Sequence, residues 1–307
     1  MDKRQLSCGF LMQPESYLAR LATQRRSGNL GRRSLAIGCC LLLALASAAS
    51  SSASQDGKFV ISTEEETSRD MALVPCKDKE RLSATKALFV KLGAREDEVS
   101  IEKHDGVENL ILRKPGKSQG TIVIGAHYDK VSAGCGAIDN WTGIVTIAHI
   151  FRSLKDLQLD KNLIFIAFGK EELGLLGSKA IAKTIKKEEV ERYCAMVNID
   201  SLGMAVPQVM INLSSSLLIS RVVDLAQRMK IPFNKVTING EADSLSYINK
   251  KIPALTIGAV ADGWEKVLHS DKDQLTNVNQ TSVYLGYRVA LSLVIELSNL
   301  ACEISRK

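Results

Sequence analysis

Short apolar runs at 121–126, 162–168, 194–199 and 253–258 have the length and β-branched content of buried strands. After them, apolar positions recur at the three-to-four-residue spacing of helices, over 141–154, 175–185, 216–229 and 281–301. Strands that alternate with helices predict a mostly parallel sheet covered on both faces. Upstream, 63–91 holds two helices, the second over 78–92 with Leu82, Phe89 and Leu92 on its apolar side. Two further strand-like segments, 99–103 and 108–113, flank His104-Asp105-Gly106 and read as an antiparallel pair whose turn includes His104. The expected architecture is α/β: a three-layer α/β/α sandwich around a mostly parallel, mixed central sheet. No repeat of solenoid period is visible, so 59–307 reads as one catalytic domain.

The strand-like runs share a second property. The first delivers His127 and Asp129, the second Glu171 and Glu172, the third Asp200, and the last is followed by His269. In an open α/β sheet the carboxyl ends of parallel strands form the ligand crevice, so residues far apart in sequence converge there. Each has an ordinary role available. His127 and Asp129 can bond to each other at a strand end, Asp139 can cap the helix that follows it, and Glu171 and Glu172 can complement a helix dipole. Taken together they offer two histidines and three carboxylates as ligands, with Glu171 and Asp129 in support. That set suits two cations about 3.5–4 Å apart.

Residues 1–49 have a different character. Arg20, Arg25, Arg26, Arg32 and Arg33 precede the apolar run 35–46, which ends in small residues of Ala-x-Ala pattern at 44–46 or 46–48. This is the pattern of a secretory signal peptide, and the run is short for a membrane span. Residues 50–58, rich in serine, read as a linker. The expected location is secreted or periplasmic, with no stable membrane span after leader cleavage. An uncleaved anchor or organellar targeting are the alternatives. Residues 1–48 carry seven basic side chains against two acids, which leaves about +1 of the chain's formal +6 for the remainder. The basic balance therefore belongs to the leader and gives no reason to expect nucleic acid as a partner. Outside the leader lie Cys76, Cys135, Cys194 and Cys302, without the spacing of a zinc knuckle. They can form one or two bridges or stay as buried thiols. Cys135, beside the candidate ligands, is a small loop residue or a thiolate ligand.

The ordered series His127-x-Asp129, Gly136-Ala-x-Asp139-Asn140, Glu171-Glu172-x-Gly174-x-x-Gly177-Ser178, Asp200 and His269 closely resembles metallopeptidase family 28, the co-catalytic zinc aminopeptidases and their relatives. The resemblance covers nearly all of 80–300. It implies two Zn2+ per chain, one held by His127 and Asp200, the other by Glu172 and His269, with Asp139 bridging them. Glu171 would be the general base and Asp129 would orient His127. Asp273 sits where the family often has a further acid. The function implied is a secreted exopeptidase that takes residues from the N-termini of peptide substrates. Carboxypeptidase and dipeptidase relatives share these ligands, a glutaminyl-peptide cyclase keeps similar elements around one zinc, and a non-catalytic binding ectodomain keeps the fold alone. Two departures concern the pocket. Ala242-Asp243-Ser244-Leu245-Ser246 stands where the family often shows Ser-Asp-His, and Trp141 replaces a small residue, either narrowing the pocket or packing beneath it. His149, on an apolar helix, reads as a buried structural histidine.

Overall fold

A computed structural model describes residues 58–303; the expected leader and the linker up to residue 57 lie outside these. Two helices come first, α1 (Glu64–Met71) and α2 (Asp78–Lys91). Thr63 starts α1 with a capping box, its hydroxyl accepting from Glu66 N while the Glu66 carboxylate accepts from Thr63 N. On α2 the buried stripe is Arg81, Thr85, Leu88 and Phe89. Phe89 and Leu92 face the core as expected, but Leu82 is only half-buried.

The strands follow: β1 (Val99–His104), β2 (Val107–Lys114), β3 (Thr121–His127), β4 (Asn162–Phe168), β5 (Tyr193–Ile199), β6 (Gln208–Met210), β7 (Asn234–Val236) and β8 (Ala254–Gly258). They form one eight-stranded sheet in the order β1-β2-β4-β3-β5-β8-β6-β7. Its centre, β4-β3-β5-β8, is parallel, while β1-β2, β2-β4 and β6-β8 are antiparallel. This is the mixed sheet expected. β3 is buried along its whole length, as a strand covered on both faces must be.

The crossover helices are α3 (Thr142–Leu154), α4 (Leu176–Thr184), α5 (Ser216–Arg228), α6 (Ser244–Asn249) and the long α7 (Gln280–Asn299). Successive residues of β3 serve opposite layers. Ile122 and Ile124 join the larger core, which α1, α2, α3, α5 and α7 complete. Val123 joins a smaller one with Ile166, Phe168, Ile181 and Tyr247, under α4 and α6. β6 and β7, of three residues each, and α6, a helix of under two turns, were not anticipated, because neither length shows its period.

Both disulfides that four cysteines allow are present, Cys76–Cys135 and Cys194–Cys302. Cys135 is therefore no thiolate ligand. His149 is buried, with its ring nitrogens 2.7 Å from Ser62 Oγ and 3.1 Å from Asp70 Oδ2. His104 closes β1 and leaves the turn to Asp105 and Gly106. Among the described residues no helix is long and apolar enough to cross a membrane.

Candidate metal centre

The parallel strands end on one edge of the sheet and deliver their polar residues to one place. His127 is the last residue of β3, and its Nε2 lies 3.0 Å from Asp139 Oδ1 and 3.6 Å from Asp200 Oδ1. Asp139 Oδ2 lies 3.1 Å from His269 Nε2, which is also 3.0 Å from Glu172 Oε2. One carboxylate thus serves two groups of donors, one oxygen to each. In both groups, His127 with Asp139 and Asp200, and Asp139 with Glu172 and His269, the ligand atoms lie within 4.8 Å of one another. His127 is 2% exposed, whereas the His269 side chain is 56% exposed, so the centre opens to solvent on the His269 side.

The supports are as specific as the donors. The Asp129 carboxylate accepts from Glu171 N at 3.0 Å and from Glu172 N at 3.2 Å. The Asp129 main-chain carbonyl lies 3.2 Å from His127 Nδ1, with Oδ1 farther off at 3.6 Å. One residue therefore fixes the imidazole and the acid pair of the next strand. Asp273 accepts from Ile138 N at 2.7 Å and Asp139 N at 3.2 Å, which aims the shared carboxylate. Asp139 itself has extended backbone angles and a cis peptide to Asn140. It does not cap α3, whose N-cap position is Trp141; Asn140 Oδ1 accepts from Gly143 N in the first turn at 2.9 Å and from Ser201 N at 3.3 Å. Lys170, Leu175, Ser201 and His269, all on the loops that carry ligands, adopt positive φ, a conformation non-glycine residues take at some cost.

Beneath the centre lies Arg81, fully buried, which sequence reading missed. Its Nη1 donates to Pro75 O and Cys135 O and its Nη2 to Gly136 O, each at 3.2 Å, and its Nε donates to Tyr128 O. It clamps both ends of the loop between His127 and Asp139. The available signal was a cation on the apolar stripe of α2. Trp141 packs under the site, its Nε1 donating to Asp70 O at 3.2 Å and its ring 5.7 Å from the Arg81 guanidinium.

The electrostatics are those of crowded acids. Burial pushes Glu171 up to about 10, helped by the charges of Asp243, Asp200 and Asp139 and opposed by His127. Burial likewise raises Glu172, Asp200, Asp243 (to about 7) and Asp273 (to about 6). Burial opposes charge on His127, but Glu171 and its acidic partners outweigh this and raise it. Hydrogen bonds to Asp139 and Glu172 lift His269 to about 10. Asp139 alone moves down, its burial more than offset by the two histidines. Positive charge is what such a cluster lacks. Glu172 Oε1, moreover, is buried with no hydrogen-bond partner. Histidine and carboxylate donors, grouped in threes with an unused oxygen among them, fit zinc.

A cavity of about 460 Å3 opens over the donors, lined by His127, Asp139, Glu171, Glu172, Asp200 and His269. All five expected ligands and Glu171 therefore share one wall. Asp129 lies behind it.

The profile described as Peptidase family M28 matches residues 109–294. This chain belongs to that family. It is 36% identical over 129 residues to aminopeptidase YwaD of Bacillus subtilis, a match covering 41% of this chain and 27% of that one. The fold is shared with BSAP, described as a zinc aminopeptidase from Bacillus subtilis, at TM-score 0.58 and 24% identity over 63% of this chain and 50% of that one. It is also shared with a glutaminyl cyclase from an Acidobacteriales bacterium, at TM-score 0.65 and 16% identity over 78% and 95%. The chain spans about half, or less, of the length of the first curated relatives it matches.

Proposed function

We propose that this protein is a secreted exopeptidase with two zinc ions per chain, and that it acts as an aminopeptidase on peptides. The observation that carries the reading is the Asp139 carboxylate shared between two donor groups, with Glu171 on the same cavity wall. Likeness to aminopeptidases in sequence supports the choice of reaction, and two disulfides support an oxidising compartment.

His127, Asp139 and Asp200 would hold one ion and Asp139, Glu172 and His269 the other. When bound, zinc supplies Lewis acidity, polarising a scissile carbonyl and making water acidic enough to lose a proton near neutral pH. Positive charge held by the donor groups would oppose the upward shift of Glu171 and favour the carboxylate form that a base needs. Glu171, free of both donor groups, takes the proton from the attacking water and returns it to the amine that leaves. Asp129 keeps the Glu171 backbone and the His127 ring in fixed relation. Asp273 does the same for Asp139.

Metal content per purified chain, measured by elemental analysis beside hydrolysis of aminoacyl chromogenic substrates before and after chelation, tests this. Two zinc per chain with chelator-sensitive release is the expected result. One zinc with no release would turn the reading to a cyclase, and no metal under zinc-replete conditions to a binding protein.

A further inference from the structure

The cavity has a second half that the proton chemistry does not use. Buried Met210, Val260 and Leu268 and half-buried Ile238 give the cavity apolar lining. Glu241 and Glu265 stand on the cavity lining too, both exposed, one on the loop after β7 and the other on the turn Trp264–Lys266. They belong to neither donor group. Among the described residues neither carboxylate has an ion-pair or hydrogen-bond partner. No lysine or arginine lines the cavity, and Lys266, next to Glu265 in the chain, is not part of its wall. Asp139, Asp200 and Glu172 each face His127 or His269; among the described residues Glu241 and Glu265 face no such partner.

A cavity that combines apolar lining with two unpaired, exposed acids matches a side chain that is apolar along its stem and positive at its tip. We propose that this pocket selects peptides with N-terminal lysine or arginine. The methylenes lie along Met210, Val260, Leu268 and Ile238, and the charge meets Glu241 and Glu265. The inference rests on the aminopeptidase reading. A neutral side chain of equal length meets the same apolar lining and leaves the acids unpaired, while an acidic one is repelled.

Lysine and norleucine p-nitroanilides, nearly equal in length and different in charge, separate the contributions. With zinc-loaded protein at low ionic strength, kcat/KM should favour lysine by roughly tenfold, and the preference should shrink as salt is added. Glu241→Gln and Glu265→Gln should each lower the lysine-to-norleucine ratio by roughly threefold to fivefold, the size of one exposed ion pair. The double variant should bring it near one. Calorimetric titration with L-lysinol and L-norleucinol reads the same ratio without turnover. An equal loss for both substrates would place these acids on the α-ammonium common to every substrate and would overturn the proposal, as would a wild-type ratio of one or less. Release of no aminoacyl group by the zinc-loaded protein would instead overturn the aminopeptidase reading beneath it.

Discussion

Glu171 and Glu172 are neighbours with the same side chain and different tasks, divided by the backbone that presents them. Glu172 Oε2 reaches His269, while Glu171 remains on the cavity wall outside both donor groups. Glu171→Gln should therefore keep full metal content and lose turnover by about two to four orders of magnitude, the worth of a general base. Elemental analysis and kcat on one preparation check this, and near-normal kcat would remove Glu171 from the role. The same cluster makes a prediction for pH. In metal-free protein, Glu171, Glu172, Asp200, Asp243 and Asp273 are raised mainly by burial, and His127 and His269 by their acidic partners. Groups with raised pKa values bind protons more tightly when folded. Their contribution to stability is full below the unfolded values, about 4 for the acids and 6.5 for histidine, and is lost as pH rises through the folded ones. Asp139 runs the other way but is outnumbered. Chelated protein should melt at falling temperature from pH 5 to pH 9, and zinc should flatten that slope. A Tm that climbs over this range in chelator would contradict the assignment.

The supports belong to the elements. Asp273, in the loop before α7, holds the amides that aim Asp139. Asp273→Ala strands those donors and should weaken metal binding by about ten- to a hundredfold, the usual cost of losing a residue that orients a ligand, with secondary structure intact. Metal competition and circular dichroism on the variant decide it. Element by element, legibility followed length. β3, β4, β5 and β8 stood out because strands covered on both faces must be apolar throughout, and their ligands stood out only as an ordered set, since each residue alone has an ordinary role. β6 and β7, at three residues each, carry no such signal. Arg81 escaped because a single cation within a helix looks like surface, although it lies on the apolar stripe of α2; the carbonyls gathered around it, from three separate segments, show what it does there. Asn140 was read as part of a motif, yet its work of joining the Asp139 loop to Ser201 depends on a contact between distant loops.

For the whole molecule, the two disulfides act on different things. Cys194–Cys302 ties the start of β5 to the chain beyond α7, far from the chemistry. Cys76–Cys135 ties the segment before α2 to the loop that carries Asp139. Each should contribute about 2–4 kcal/mol by restricting the unfolded chain, so either pair of serines lowers Tm. Only Cys76→Ser/Cys135→Ser should also weaken zinc binding, and equal metal affinity in the two double variants would refute the distinction. The pairing itself was beyond sequence reading, since it depends on which loops meet. The sheet order has a further implication. His127, Glu172, Asp200 and His269 follow four adjacent strands, β3, β4, β5 and β8, and the last of these lies late in the chain. No early fragment holds both donor groups, because the second is incomplete until residue 269 is in place. The topology thus delays assembly: a chain that has not reached residue 269 carries the first donor group and only part of the second.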